Sequence, residues 1–220
     1  MTIDSNMDIK KIRKNIEPEL NELNAFLKKS VSSNYWILNK ITAYMLKTKG
    51  KQLRPIFVFL LAKMFGQNDM QRAVKAATLI ELLHTATLIH DDVVDDADYR
   101  RGLFSIKGLW KNKMAVLTGD FILSRGMLLA LESKEYDMLD VVSKAVRKMS
   151  EGELLQLERA RRLNLDESVY EQIIKEKTAS LIAACCEMGA LSAGATLEER
   201  SSMWTMGEHV GMAFQIKDDI

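Results

Sequence analysis

AATLIELLHTATLIHDDVVDDADYRRG, residues 76–102, begins as an apolar helix and ends in acid. From Ala76 to His90 the apolar side chains recur at three and four and fill most of the gaps as well, the pattern of a helix buried on nearly every side. Asp91, Asp92, Asp95 and Asp96 then place four carboxylates within six residues. Crowded like charges raise one another's pKa and cost free energy until a cation neutralises them. The C-terminal end of a helix, where the macrodipole disfavours negative charge, adds to that cost. Asp91 and Asp95 are spaced i, i+4, so both face one way, about 6 Å apart. His84 lies two turns earlier on the same stripe, about 10 Å back along the axis. Paired hard oxygen ligands with room left for water and phosphate suit Mg²⁺. A solvated acidic helix end is the plainer alternative, and the apolar turns before it argue against that, because this end projects from a buried helix.

Outward from this segment the same period continues, with no convincing alternating strand. Helices are predicted near 8–31 and 35–48, and from Arg54-Pro55 to Gly66, with proline suited to a first turn. Asp69 can cap the long apolar helix, and a polar loop follows it. Further helices are predicted over 109–132 and 135–162. Asp166 can cap the next helix and Gly194 closes it. Thr196 opens the last, with Glu199 completing a capping box. The expected architecture is all-α, an antiparallel helical bundle in a single domain over 1–220, with no repeat or linker. Apolar residues at 47% and charged residues at 28% place the chain among globular proteins. A net charge of +1 gives no global field pointing to nucleic acid. The N-terminus lacks the apolar core of a signal peptide, and no uncharged apolar run is long enough for a membrane span, so neither is expected. Cys185 and Cys186 point about 100° apart on a helix and cannot easily bridge. Two small core residues in a reducing, cytoplasmic compartment is the expectation.

The basic groups cluster near the acid. Arg100 and Arg101 follow the acidic run, and Lys51 and Arg54 sit at a helix start in GKQLRP (50–55). Arginine presents a planar fork to phosphate oxygens, lysine adds a point charge, and a helix N-terminus adds free N–H donors. Either pair alone is a weak signal. Carboxylates for metal and cations for phosphate in one chain read together as a diphosphate site. A second acidic pair, Asp218 and Asp219, ends the chain in FQIKDDI (214–220), and Gln215 shares a helix face with Asp219. In a bundle this helix could oppose the first acidic one and complete a metal cage from the other side.

Taken together these segments resemble the trans-isoprenyl (polyprenyl) diphosphate synthase family. GKQLRP resembles its first basic motif, and LIHDDVVDDADYRRG its first aspartate-rich motif with trailing arginines. LTGDFILSR (117–125), EGELLQL (151–157), EKTASL (176–181) and FQIKDDI match later motifs in order. The likeness runs from about residue 35 to the end. Two departures stand out: Gln52 occupies a position usually basic, which would remove one phosphate contact, and the second aspartate motif stops before its third aspartate. Family members continue well beyond that point, so a C-terminally truncated chain is expected.

What the resemblance implies is an isoprenoid-synthase bundle with a central cavity, joining isopentenyl diphosphate to an allylic diphosphate by ionisation, condensation and elimination. It assigns Mg²⁺ to Asp91, Asp95 and Asp218. Lys51, Arg54, His84 and Arg101 would hold isopentenyl diphosphate. Arg100, Lys177, Thr178 and Gln215 would bind the allylic diphosphate, the last three also placing dipoles near the developing cation. Leu83, Ala86 and Thr87 would line the tunnel for the growing tail. Ala86 and Thr87 are small, as are Ser124, Gly126 and Ala130 on the facing helix. By family analogy this implies a long product of about seven to ten isoprene units, for quinone side chains, although small residues also simply let helices pack closely. A homodimer, and peripheral membrane contact on product release, complete the expectation. Rivals are a short-chain (farnesyl or geranylgeranyl) synthase, a class I terpene cyclase, and a non-catalytic subunit of a heteromeric synthase. The cyclase needs no GKQLRP, and non-catalytic subunits tend to lose the aspartates kept here. Glu81 and His84 form one Glu-x-x-His, but a di-iron bundle wants two. His90 and His209 receive no role.

Overall fold

The computed structural model describes residues 9–47, 50–66, 69–162 and 166–220. In chain order the helices are α1 (Ile9–Lys14), α2 (Glu17–Ser30), α3 (Trp36–Lys47), α4 (Leu53–Met64), α5 (Gln71–Val94), α6 (Ile106–Glu132), α7 (Tyr136–Arg162), α8 (Glu167–Ile174), α9 (Ser180–Ser192) and α10 (Leu197–Asp219). A π-helical turn, Lys175–Ala179, joins α8 to α9. The all-α expectation holds.

The apolar stretch quoted above becomes α5, the central rod. It packs against α2, α4, α6 and α9, so little of its circumference meets water. Leu79, Ile80, Leu82 and Leu83 are each at most 3% exposed, and burial of such side chains stabilises the fold by roughly 1.5–3 kcal/mol apiece. Asp69, expected as the cap of α5, lies one residue before the N-cap, Met70, which makes no side-chain cap bond; Asp69 instead accepts from the Gln71 N–H at 3.1 Å. Asp166 caps α8 through the Val169 N–H, and Thr196 with Glu199 forms the full capping box of α10. Cys185 and Cys186 are buried and unbridged. Burial pushes both thiols up, Cys186 to about 12, which makes them inert packing groups.

Three further local readings change. The helix expected over 8–31 is two helices, because Ile16 leaves helical geometry at φ −126°, ψ 18° and Pro18, which has no N–H, opens α2. The polar loop after the acid contains a two-residue hairpin, Tyr99–Arg100 paired antiparallel with Leu103–Phe104. Arg101 and Gly102 form its tip, both with positive φ (53° and 77°), as a type I′ turn requires. The third change is the π turn inside the helix expected to follow Asp166.

Residue choice on α6 is two-sided. Ala115, Ile122, Gly126 and Ala130 are buried, and α6 packs along α5. On the other side Val116, Leu117, Leu128 and Leu131 are exposed. The expectation of no membrane-spanning segment needs revision to this extent: among the described residues α6 is long and apolar enough to cross a bilayer by length and composition.

The last helix is set by close approach. A Cβ built on Gly211 would lie 2.5 Å from the Ala179 Cα, so α10 rests on the backbone of the π turn. Gly211→Ala should push α10 away and cost about 1–3 kcal/mol, read as a fall in the urea midpoint with unchanged slope. An unchanged midpoint would show that the two helices are not held this tightly.

Candidate active site

Two polar regions flank the C-terminal end of α5, one rich in cations and one rich in carboxylates. The first is a cavity of about 550 Å³ between the start of α4, the second half of α5 and the hairpin. Lys51, Arg54, His84, Arg100 and Arg101 all line it, with apolar walls that include Leu53, Leu82, Leu88 and Ile89. Each inner arginine is oriented by a carboxylate of α5. Arg54 donates through Nε to Glu81 Oε1 at 2.8 Å, and Arg100 through Nε to Asp92 Oδ1 at 2.7 Å. Both bonds use Nε and leave the terminal nitrogens of the fork for a ligand. Asp92 is only 3% exposed. Burial nonetheless pushes its carboxyl up, against the pull of Arg100.

His84 faces the same cavity, and its Nδ1 is shielded with no hydrogen-bond partner among the described residues. Burial drives its pKa well below the usual 6.5, and the Arg54, Arg101 and Arg100 guanidiniums push it the same way. The imidazole is therefore held neutral, and a buried polar nitrogen without a partner invites a ligand. Gln52, at the position that the resemblance would make basic, has φ 52°. Its amide donates to Asn24 Oδ1 of α2. The cavity keeps Lys51, Arg54, Arg100 and Arg101 without it.

On the other flank, Asp91 is half-buried, within electrostatic reach of Glu153 on α7 and Lys177 on the π turn. Burial pushes its carboxyl up; Glu153 and Asp95 act the same way, while Arg100 and Lys177 pull it down. Lys177 Nζ lies 2.5 Å from Glu153 Oε2 and donates to Gln156 Oε1 at 3.0 Å. Thr178 Oγ1 donates to Gln215 Oε1 at 3.0 Å, so the π turn and α10 are joined by two residues that the resemblance assigned to the allylic substrate. Gln215 in turn donates to Asp219 Oδ1, and the Tyr170 hydroxyl donates to Asp219 Oδ2.

Asp218 is exposed on α10. Among the described residues no three His, Cys, Asp or Glu side chains converge as a metal site. The cage expected from Asp91, Asp95 and Asp218 is thus not closed by protein alone. The donor chemistry still fits: Mg²⁺ prefers one or two carboxylates plus waters and substrate phosphates to an all-protein cage. Asp95 is exposed at the end of α5 and Asp96, at φ 52°, turns away to pair with Lys107 at 2.6 Å.

The tunnel residues sit on a different face of α5. Leu83 and Ala86 are 3% and 1% exposed, Leu83 lies against Gly126 of α6, and Thr87 donates to the His84 carbonyl. None of the three lines the cavity described above. His90 meets Asp120 of α6 at 3.4 Å, and His209 is exposed.

Sequence reasoning assigned no function to Glu81, Asp92, Glu153 or Gln156. Asp92 and Glu81 lie eleven residues apart on α5, about three helical turns, which is the one signal that could have placed them on a common face.

Residues 36–220 match the family model described as polyprenyl synthetase. The chain belongs to this family. A heptaprenyl diphosphate synthase component 2 from Geobacillus stearothermophilus is 38% identical over 97% of this chain and 67% of that protein. A decaprenyl diphosphate synthase from Rhodobacter capsulatus superposes with a TM-score of 0.90 at 33% identity, over 96% of this chain and 65% of that one. A polyprenyl synthase from Caulobacter crescentus CB15, complexed with calcium and isoprenyl diphosphate, also gives 0.90, at 34% identity over 96% and 64%. The chain spans about two thirds of the length of these relatives.

The neutral His84 gives this polyprenyl synthetase domain a pH signature. Its folded pKa lies below the free value of 6.5, so on acidification the unfolded chain takes up the proton first and stability falls as pH drops from 6.5 toward the folded value. Urea unfolding at pH 7.5 and 5.5 should show wild type losing more stability over that interval than His84→Gln. Equal losses would mean His84 is freely protonated in the native state.

Proposed function

We propose that this polyprenyl synthetase domain, as part of its synthase, condenses isopentenyl diphosphate with an allylic diphosphate to a long all-trans polyprenyl diphosphate in the cytoplasm. The observation that supports it is the pair of diphosphate-suited regions on the two flanks of one helix end, a cluster of cations on one and carboxylates suited to a metal beside Lys177 on the other. A condensation of two diphosphates needs two such regions with their reacting carbons brought close.

In this reading Lys51, Arg54, Arg101 and His84 hold the diphosphate of isopentenyl diphosphate in the cavity. Glu81 fixes the Arg54 fork, and Leu88 and Ile89 exclude water from the hydrocarbon. Arg100 and Lys177 meet the allylic diphosphate from either side of α5, with Arg100 aimed by Asp92. Mg²⁺ held by Asp91 and Asp95, with Asp218 from α10, would supply Lewis-acid stabilisation of the departing pyrophosphate. As the allylic C1–O bond breaks, its electron pair leaves with pyrophosphate. The isopentenyl double bond then attacks C1, and loss of a C2 proton, taken up by the departing pyrophosphate, restores a double bond. Thr178 and Gln215, already joined, present the hydroxyl and amide dipoles to the cationic carbon.

Product length follows the relatives, named for heptaprenyl and decaprenyl chains, and the small residues Ala86, Ser124, Gly126 and Ala130 along the α5–α6 contact agree with a long tail. Incubation with farnesyl diphosphate, labelled isopentenyl diphosphate and Mg²⁺, with products sized by chromatography, tests the reading. Asp91→Asn and Asp95→Asn should each lower turnover at least about a hundredfold while leaving the protein folded. Folded wild-type protein that elongates nothing, or variants as active as wild type, would remove the proposal.

The exposed apolar side of α6 supports assembly through that face, and a second copy of this chain is the simplest occupant. A different chain is the second reading, favoured because the Geobacillus relative is named as a component. Light scattering on the protein alone should give a dimer mass that Leu117→Glu or Leu128→Glu halves. A monomeric wild type active only beside a second component would favour the other reading.

A further inference from the structure

EGELLQL (151–157) is the one motif that the roles assigned above leave idle. It lies on α7 against the π turn Lys175–Ala179, the element that carries Lys177. Three observations converge there. A Cβ built on Gly152 would lie 2.8 Å from the Lys177 N and 2.9 Å from the Glu176 Cβ, so α7 touches the backbone of the π turn. The next residue, Glu153, reaches the Lys177 ammonium at 2.5 Å, and Gln156, one turn on, accepts from it at 3.0 Å. Asp91 lies within electrostatic reach of both members of the pair, Glu153 pushing its carboxyl up and Lys177 pulling it down, while the hydrogen bond and ion pair of the ammonium go to α7. π turns are rare and tend to occur where a side chain is presented for function.

We propose that Gly152, Glu153 and Gln156 form a holding site for the Lys177 ammonium that keeps it from pairing with Asp91 and so leaves Asp91 to a divalent cation. The inference rests on the diphosphate-and-metal reading of the same site and makes Glu153 and Gln156 positioning residues. A lysine has a flexible four-carbon stem and a compact charge. Released from α7, it has Asp91 within electrostatic reach, and an Asp91–Lys177 pair would compete with metal for the same oxygens. Held by α7, the charge stays beside the site, where an incoming diphosphate meets it.

The test is Mn²⁺ titration of the purified, ligand-free protein followed by electron paramagnetic resonance, with thermal unfolding of each metal-free variant as the folding control. Glu153→Gln should weaken Mn²⁺ binding about tenfold, the scale on which second partners of a metal ligand act. Gln156→Leu, which changes no charge and serves if Glu153→Gln does not fold, should weaken it in the same direction. Adding Lys177→Gln to either variant should restore the affinity, because the competitor is gone; damage to the fold or loss of a direct metal ligand would not be rescued this way. Wild-type protein that binds Mn²⁺ with variants that match it, or double variants that stay weak, would overturn the inference alone. Wild-type protein that binds no Mn²⁺ would overturn both this inference and the metal site on which it rests.

Discussion

Negative charge at the wrong end of a helix is the constraint around which the site is arranged. α5 finishes in Asp91 and Asp92, with Asp95 at its C-cap, where unpaired carbonyls already create a negative potential. Cations come to the acids from several elements. Asp92 takes Arg100 from the hairpin, Asp96 and Asp98 share Lys107 at the start of α6, and Asp91 has Arg100 and Lys177 nearby without a direct bond to either. Elements that would otherwise be independent are therefore drawn to one point, and Asp91 and Asp95, which no ion pair among the described residues engages, are the carboxylates best placed for an external cation.

That arrangement depends on the apolar rod behind it. Because α5 is enclosed by its neighbours, its end cannot swing away to relieve the repulsion, and the cost is met by bringing cations to the acid. The same rigidity gives Glu81 and Asp92 fixed positions three turns apart, from which they aim Arg54 and Arg100 at a shared cavity. On the opposite flank, close backbone approach replaces side-chain packing: Gly152 of α7 and Gly211 of α10 both rest on the π turn. Lys177 and Thr178 are thus held between two helices and linked to each by a hydrogen bond.

Much of this was legible because its causes are local. Helix caps act over three residues, so Asp166 and the Thr196–Glu199 box could be read from spacing alone. The i, i+4 relation of Asp91 and Asp95 is set by helix geometry whatever surrounds it. The hairpin at Tyr99–Phe104 was missed because two-residue strands have no period to detect, and the break at Ile16 because periodicity continues across it while Pro18 interrupts the hydrogen bonding. The π turn left no mark either, since KEKTA is an ordinary helical sequence and the extra residue per turn is imposed by the helices on both sides.

By itself the sequence determined an all-helical chain, a buried rod ending in paired carboxylates, and the family to which the motifs belong. These follow from periodicity, short-range capping and residue chemistry, all properties of neighbours along the chain. Tertiary structure alone decided which acid faces which base: Glu81 for Arg54, Asp92 for Arg100, and Glu153 with Gln156 for Lys177. Those partners are far apart along the chain or lie on different elements, and an electrostatic contact depends on distance in space, which packing sets.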